Sequence, residues 1–299
     1  MSRSNPQTGL PGPMVWLLGI RPRTLTMAVV PVVVGGALAL SLRGGIDAVT
    51  LAVTLFCAVL IQIGTNLFND ASDGLRGADG PDRLGPRRLT GAGLATAGQV
   101  KRAAMISFGL AFAAGIYLVF IGGVVILLIG LASLAAGYAY SSGPRPLSHG
   151  PWGEIYVIAF FGIVAVTGTY FLQTKQLFDL DVLLIGIAIG CPAAAVLLVN
   201  NVRDLEADIR NGRRTLAARL GVLRARWLYV LLTLVPVPLV ALALGWRNVI
   251  IVALALPWAL WLIARFWRAA DGPAMNAQLS GTAVYQVGLG VLLIVSLLA

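Results

Sequence analysis

Residues 29–42 read VVPVVVGGALALSL and residues 250–263 read IIVALALPWALWLI. Neither alternates apolar with polar positions, as a half-lipid-facing strand would, and neither keeps a polar face at helical spacing. Both suit helices surrounded by apolar material on every side. The hydrocarbon core of a bilayer is roughly 30 Å thick and is crossed by about 20 helical residues. Mostly apolar runs of that length recur near 24–42, 48–68, 103–121, 123–140, 154–173, 180–201, 227–245, 248–266 and 280–298. The expected fold is all-α, a polytopic membrane protein with nine transmembrane helices.

Composition agrees. The 299 residues are 58% hydrophobic and 11% charged, and the mean hydropathy is +0.87, whereas a soluble domain carries about 25% charged residues. With the N-terminus in the cytoplasm, all but Arg43, Lys175 and Arg247 of the 22 basic residues fall on the cytoplasmic side, the asymmetry expected of cytoplasmic loops. The net charge of +10 then describes loops beside anionic lipid rather than a nucleic-acid surface. The plasma membrane is the expected location, and no small-residue cleavage site follows the short apolar stretch Met14–Ile20, so no cleaved signal peptide is expected.

No linker or low-complexity tract divides the chain, so residues 1–299 are expected to form a single integral membrane domain. A cytoplasmic segment, 1–22, precedes it, and two long cytoplasmic loops, 69–102 and 202–226, are where chemistry is expected.

The acids point to the same loops. Of 12 acidic residues, Asp70, Asp73, Asp79 and Asp82 lie in one stretch and Asp204, Glu206 and Asp208 in another. Asn66, Asp70 and Asp73 share one helical face at the end of the second span, and Asn200, Asp204 and Asp208 share one at the end of the sixth. Both ridges emerge on the cytoplasmic side, where they can face each other. Facing carboxylates repel unless cations bridge them, and Mg²⁺ takes one or two carboxylates and completes its shell with phosphate oxygens and water. Arg83, Arg87 and Arg88 follow the first ridge and Arg210, Arg213 and Arg214 the second, with Arg23 and Arg145 nearby in the same topology; guanidinium binds phosphate bidentately. A Mg²⁺–diphosphate site above an apolar bundle implies a polyprenyl diphosphate, activated by stabilising charge on the leaving oxygen. The allylic cation so formed must be shielded from water and met by an electron-rich acceptor.

At these residues the sequence resembles the UbiA superfamily of intramembrane prenyltransferases. The resemblance lies in Asn69-Asp70-x-x-Asp73 with Gly77 and Asp79, and in Asp204-x-x-x-Asp208. It narrows to the MenA type, the 1,4-dihydroxy-2-naphthoate polyprenyltransferases, in Gly85-Pro86-Arg87-Arg88-Leu89-Thr90, in Asn200-Asn201-x-Arg203-Asp204 and in Gly212-x-Arg214-Thr215-Leu216. The stretch Tyr140-x-x-Gly143-Pro144-x-Pro146-Leu147, followed by Gly153-Glu154, Phe161-Gly162 and Gly168-Thr169-Tyr170, is similar too. Ala71 and Ser72 depart from the aromatic residues the family often has between its first two aspartates.

The resemblance implies nine helices around a central cavity open to the cytoplasm and a Mg²⁺-dependent transfer of the polyprenyl chain to 1,4-dihydroxy-2-naphthoate. Diphosphate and CO₂ would be lost and demethylmenaquinone formed, on the route to menaquinone. It assigns Asn66, Asp70, Asp73, Asp204 and Asp208 to the metal–diphosphate site, with the four aspartates catalytic and Asn200 and Asn201 in support. Arg23, Arg87, Arg88, Arg145 and Arg214 become candidate substrate or loop-ordering groups, each also readable as a topogenic charge, and Tyr140 lines the acceptor pocket or anchors the interface.

Other residues have plainer readings. Glu154 favours a helix N-terminus, and His149, without a partner at metal-ligand spacing, reads as a solvated loop residue. Cys57 and Cys191 read as packing residues, most tryptophans as interface anchors, and Pro31, Pro192 and Pro257 as sites of local bends. Three rival functions stay open. A transporter normally carries its acids at the midplane of broken helices, which the spans here lack. Another UbiA-type enzyme, acting on 4-hydroxybenzoate or a different acceptor, would share the aspartate pairs. A CDP-alcohol phosphotransferase would need a denser single motif.

Overall fold

The computed structural model describes residues 12–76, 84–85, 88–143, 146–269 and 272–299, and every regular element among them is helical. After a 3₁₀ turn come α1 (Trp16–Ile20), α2 (Pro22–Arg43), α3 (Ala48–Leu75), α4 (Ala97–Ser141), α5 (Gly153–Ile158) and α6 (Ala165–Thr174). Then follow α7 (Leu180–Arg203), α8 (Leu205–Arg210), α9 (Leu216–Leu234), α10 (Pro236–Leu244), α11 (Trp246–Val252), α12 (Leu256–Arg268) and α13 (Gly272–Leu298).

Among the described residues, eight helices or helix pairs are long and apolar enough to cross a membrane. One of them, α4, has 45 residues, about twice what a single crossing needs. It breaks at Gly123, where φ is 64° and ψ −154°, a conformation open to glycine. Its two arms fold together: a Cβ on Gly137 would lie 2.9 Å from the ring of Phe108, although the two residues would be about 43 Å apart in a straight helix. The hairpin supplies the two expected spans 103–121 and 123–140, so the described helices make nine crossings.

Side-chain caps start α3, α7 and α4. Asp47 accepts from the backbone N–H groups of Val49 and Thr50, Asp179 from those of Asp181 and Val182, and Thr96 forms a reciprocal capping box with Gln99, which satisfies amides that would otherwise lack partners. The proline expectations resolve differently at each site. Pro31 and Pro192 lie inside uninterrupted helices, whereas Pro257 sits in the first turn of α12, just after a 3₁₀ turn.

The central helix is α7, with Ile185, Ile189, Ala193, Ala194 and Leu198 fully buried. Between α5 and α6 the chain takes one π-helical segment, Ala159–Val164, and there it meets α7 backbone to backbone. A Cβ on Gly162 would lie 2.4 Å from the Gly186 carbonyl oxygen and 2.7 Å from the Gly190 Cα, so only glycine fits. Cys57 and Cys191 are buried and free, as packing residues would be. On the far side of α7, α9 and α13 are joined by a neutral network. Tyr229 and Thr282 share a hydrogen bond of 2.8 Å, Gln278 Nε2 donates to Tyr229 Oη and to the Leu262 carbonyl, and Tyr285 Oη donates to the Thr233 carbonyl.

Two expected loops are partly helical. The 69–102 segment is helix through Leu75 and again from Ala97, and the 202–226 segment holds α8 and the first turns of α9. The first of these carries α3 beyond its apolar part and so brings the aspartates to the end of the bundle.

Candidate active site

A cavity of about 1760 Å³ opens at the end of the bundle where α3 and α7 terminate. Deep inside it is apolar, with Cys57, Ile126, Phe161 and Leu172 in its wall, while its mouth is ringed by Asn66, Asn69, Asp73, Asn200, Asp204 and Asp208. An elongated hydrocarbon with an anionic head matches that division.

The first ridge is split by helix geometry. Asn66, Asn69 and Asp73 line the cavity, whereas Asp70, fully buried, lies off its wall. At 3.6 residues per turn, Asp70 sits about 60° round from Asp73 on one side and Asn69 about 40° on the other. Asp70 turns toward the returning chain, accepting from the backbone N–H groups of Leu89 (2.9 Å) and Thr90 (3.0 Å) and from Thr90 Oγ1 (2.7 Å). Thr90 packs so closely that a Cβ on Gly74 would overlap its hydroxyl. The side chain expected at the metal therefore pins the segment that carries Arg88. Asn69, present in the motif but not singled out from sequence, takes the place at the cavity.

Both asparagines spend their amide nitrogens on the protein. Asn66 donates to the Ile20 carbonyl and Thr24 Oγ1, each at 2.9 Å, and Asn69 to Ser141 Oγ at 3.0 Å, which leaves their carbonyl oxygens for a ligand.

The second ridge holds together although α7 ends within it. Asp204 is the junction between α7 and α8, and Asn200, Asn201, Asp204 and Asp208 all line the cavity. Arg203 organises it, bonding Asp204 through two nitrogens (2.7 and 2.8 Å), Asn200 Oδ1 (2.8 Å) and Asn276 Oδ1 (2.9 Å). Asn201 donates to the buried Glu154 at 2.9 Å. Glu154 thus holds a side chain of the cavity wall in addition to standing in the first turn of α5.

Arginines join the ridges. Asp73 is paired with Arg88 through one oxygen and with Arg213 through the other, at 2.6 Å, and Arg213 lies 3.5 Å from Asp208. Burial first, and then the neighbouring Asp204 and Asp73 carboxylates, push Asp208 up to about 6, against the lowering effect of Arg213. Arg213 reaches this position because Gly212, at φ 71°, ends α8 in a Schellman turn. Gly212 N–H bonds to the Ile209 carbonyl and Arg213 N–H to that of Asp208, the two bonds that define the motif. The same turn sends Arg214 outward, where its N–H meets the His149 carbonyl at 2.8 Å. The glycine was a readable helix stop; which of two adjacent arginines faces inward was not.

Arg23 and Tyr140 line the cavity, and Tyr140 stacks on Tyr156 with ring centroids 6.0 Å apart. Arg214 is not among the lining residues, and Arg87, Arg145, Asp79, Asp82 and Arg83 lie outside the described residues. His149 is half-buried against Arg76, at 3.3 Å, rather than solvated. Burial, then Arg213 and Arg76, lower its pKa to about 4, so it is neutral at pH 7.

Among the described residues, no three acidic, histidine or cysteine side chains converge where they alone could hold a metal ion. At the mouth the donors that face the cavity are oxygens, carboxylates from both ridges and amide carbonyls. That set fits Mg²⁺, which uses few protein ligands and keeps places for phosphate and water, and it would not suit a soft metal.

The sequence matches the model of the UbiA prenyltransferase family over residues 28–283. It is 41% identical over 214 residues to the 1,4-dihydroxy-2-naphthoate octaprenyltransferase of Mycobacterium tuberculosis, covering 72% of each chain. It is 32% identical over 261 residues to the protein of the same name from Haemophilus influenzae, covering 81% of this chain and 82% of that one. Its fold is similar to that of a UbiA homologue from Archaeoglobus fulgidus solved with DMAPP and Mg²⁺, with a TM-score of 0.67 at 16% identity, covering 92% of this chain and 99% of that one. With a family match across most of its length and relatives above 30% identity, the chain belongs to the UbiA prenyltransferase family.

Proposed function

We propose that the protein transfers a polyprenyl chain from its diphosphate to 1,4-dihydroxy-2-naphthoate, with loss of diphosphate and CO₂, giving demethylmenaquinol, the reduced form of demethylmenaquinone, for menaquinone synthesis. The observation that carries this reading is the 41% identity to an enzyme named for that acceptor, joined to a cavity whose mouth is acidic and whose depth is apolar.

Asp73, Asp204 and Asp208, with the carbonyls of Asn66 and Asn69, would hold Mg²⁺, which would supply positive charge to the leaving diphosphate oxygen. Asp70 positions the 88–90 segment and thereby Arg88. Arg23 and Arg88 meet the diphosphate, as Arg87 and Arg145 do in the same reading, while Arg214 orders the loop through His149. Breaking the allylic carbon–oxygen bond leaves its electron pair on diphosphate. The apolar wall keeps water from the resulting cation, and Tyr140, with Tyr156 stacked on it, offers aromatic surface beside it. Asn201, fixed by Glu154, lines the same cavity with Asn200. The new carbon–carbon bond forms at the ring carbon that bears the carboxylate, which departs as CO₂. The distribution of basic residues supports a cytoplasmic N-terminus and a site on the cytoplasmic side of the plasma membrane.

Competition between acceptors tests the assignment. Purified protein with a polyprenyl diphosphate, Mg²⁺ and equimolar 1,4-dihydroxy-2-naphthoate and 4-hydroxybenzoate should prenylate the naphthoate alone, by mass spectrometry. Prenylated hydroxybenzoate as the main product would overturn the acceptor while leaving the reaction class intact.

A further inference from the structure

Arg213 stands between the two aspartate ridges. Its Nη2 bonds Asp73 Oδ1 at 2.6 Å, its Nη1 lies 3.5 Å from Asp208 Oδ1, and its side chain is 17% exposed at the cavity mouth. The two other arginines that bind the aspartates of the ridges are more firmly held. Arg88 pairs with the second oxygen of Asp73 and also bonds the Asn69 carbonyl, on a segment pinned by Asp70. Arg203 has four partners of its own. The Arg213 backbone is anchored by the Schellman turn, so its side chain is the part able to move.

We propose that Arg213 is an internal counter-cation that competes with divalent metal for Asp73 and Asp208, so that the site takes up metal together with diphosphate and resists metal alone. The inference rests on the metal–diphosphate reading above. A metal ion using Asp73 Oδ1 must displace the guanidinium that now holds it, and since three arginines already match the three aspartates, the displaced guanidinium then stands beside a dication with no further anion to compensate it. A diphosphate brought in with the metal supplies that anion, and its oxygens match the planar fork of the guanidinium. The same side chain thus closes the gap between the ridges when no diphosphate is bound and clamps the diphosphate when it is. The consequence is an order of loading in which a bare cation does not draw the ridges into a stable, unproductive complex.

Equilibrium dialysis of Mn²⁺ against the full chain in detergent, with and without inorganic pyrophosphate on both sides, tests this without reference to turnover. Arg213→Gln should bind Mn²⁺ alone at least about tenfold more tightly than wild type, because a neutral side chain no longer competes for the carboxylates. Pyrophosphate should raise Mn²⁺ retention strongly in wild type and little in the variant. The gain must disappear in the Arg213→Gln, Asp73→Asn double variant. Arg213→Lys, which keeps the charge but loses the two-pronged reach, should fall between wild type and Arg213→Gln; if the glutamine variant cannot be purified, tighter Mn²⁺ binding by the lysine variant carries the test. Binding of Mn²⁺ alone that is no tighter without the guanidinium would overturn the proposal while leaving the metal site standing. Absence of any Asp73-dependent Mn²⁺ retention by wild type with pyrophosphate would remove the metal–diphosphate reading and this inference with it.

Discussion

Two clusters of polar side chains lie within this apolar bundle, and they are built differently. Around α9 and α13, Tyr229, Gln278, Thr282 and Tyr285 are all completely buried and bind one another or backbone carbonyls as neutral groups. At the cavity mouth, Asp73, Asp204 and Asp208 are held by Arg88, Arg203 and Arg213 as ions. A neutral network away from a cavity has no exchange partner and fixes helix positions. Ion pairs on the wall of a cavity can be traded for a cation and an anion that enter together. The contrast separates the scaffold from the machinery.

The largest effect should come from the ionic cluster. Asp73→Asn removes the carboxylate that both Arg88 and Arg213 use, and prenyl transfer should fall by about 10²–10³-fold, measured as initial rate at saturating Mg²⁺. A rate within threefold of wild type would place the chemistry elsewhere.

Asp70→Asn should cost less, about tenfold in kcat/KM, equivalent to roughly 1.4 kcal/mol, because it loosens the 88–90 segment without touching the cavity. Mn²⁺ retention with pyrophosphate should stay near the wild-type value. Loss of that retention would make Asp70 a metal ligand in its own right.

The neutral cluster should respond in stability alone. Tyr229→Phe deletes the hydroxyl shared by Thr282 and Gln278 and should lower unfolding stability by about 1 kcal/mol, read as a lower Tm in detergent with kcat unchanged. The smallest effect has the opposite sign. Gln286 is fully buried and neither of its amide atoms finds a hydrogen-bond partner among the described residues, so Gln286→Leu should raise Tm by a few degrees. A fall in Tm or activity would show that Gln286 serves a bound group.

Much of the scaffold was readable because lipid imposes long apolar runs. The third and fourth of the expected spans follow from length alone, since 45 residues of α4 are too many for one crossing, and Gly123 supplies the break. The second ridge was readable because residues four apart on a helix share a face, and its members stay together even across the end of α7. The first ridge was only partly so. Asp70 and Asn69 are adjacent in sequence and equally plausible by spacing, and tertiary packing against Leu89 and Thr90 decides which one meets the cavity. Arg213 and Arg214 pose the same problem across the turn at Gly212. His149 looked solvated because nothing in its loop announces Arg76, which reaches it from the end of α3.

The most direct measurement is the mass of the product formed from a polyprenyl diphosphate and 1,4-dihydroxy-2-naphthoate by wild type, Asp73→Asn and Tyr229→Phe, each with Mg²⁺ and with EDTA. Wild type and Tyr229→Phe should yield a prenylated naphthoquinol lacking the carboxylate, in Mg²⁺ only, while Asp73→Asn yields almost none. Equal product from Asp73→Asn, or product formed in EDTA, would contradict a metal–diphosphate site built from the two aspartate ridges.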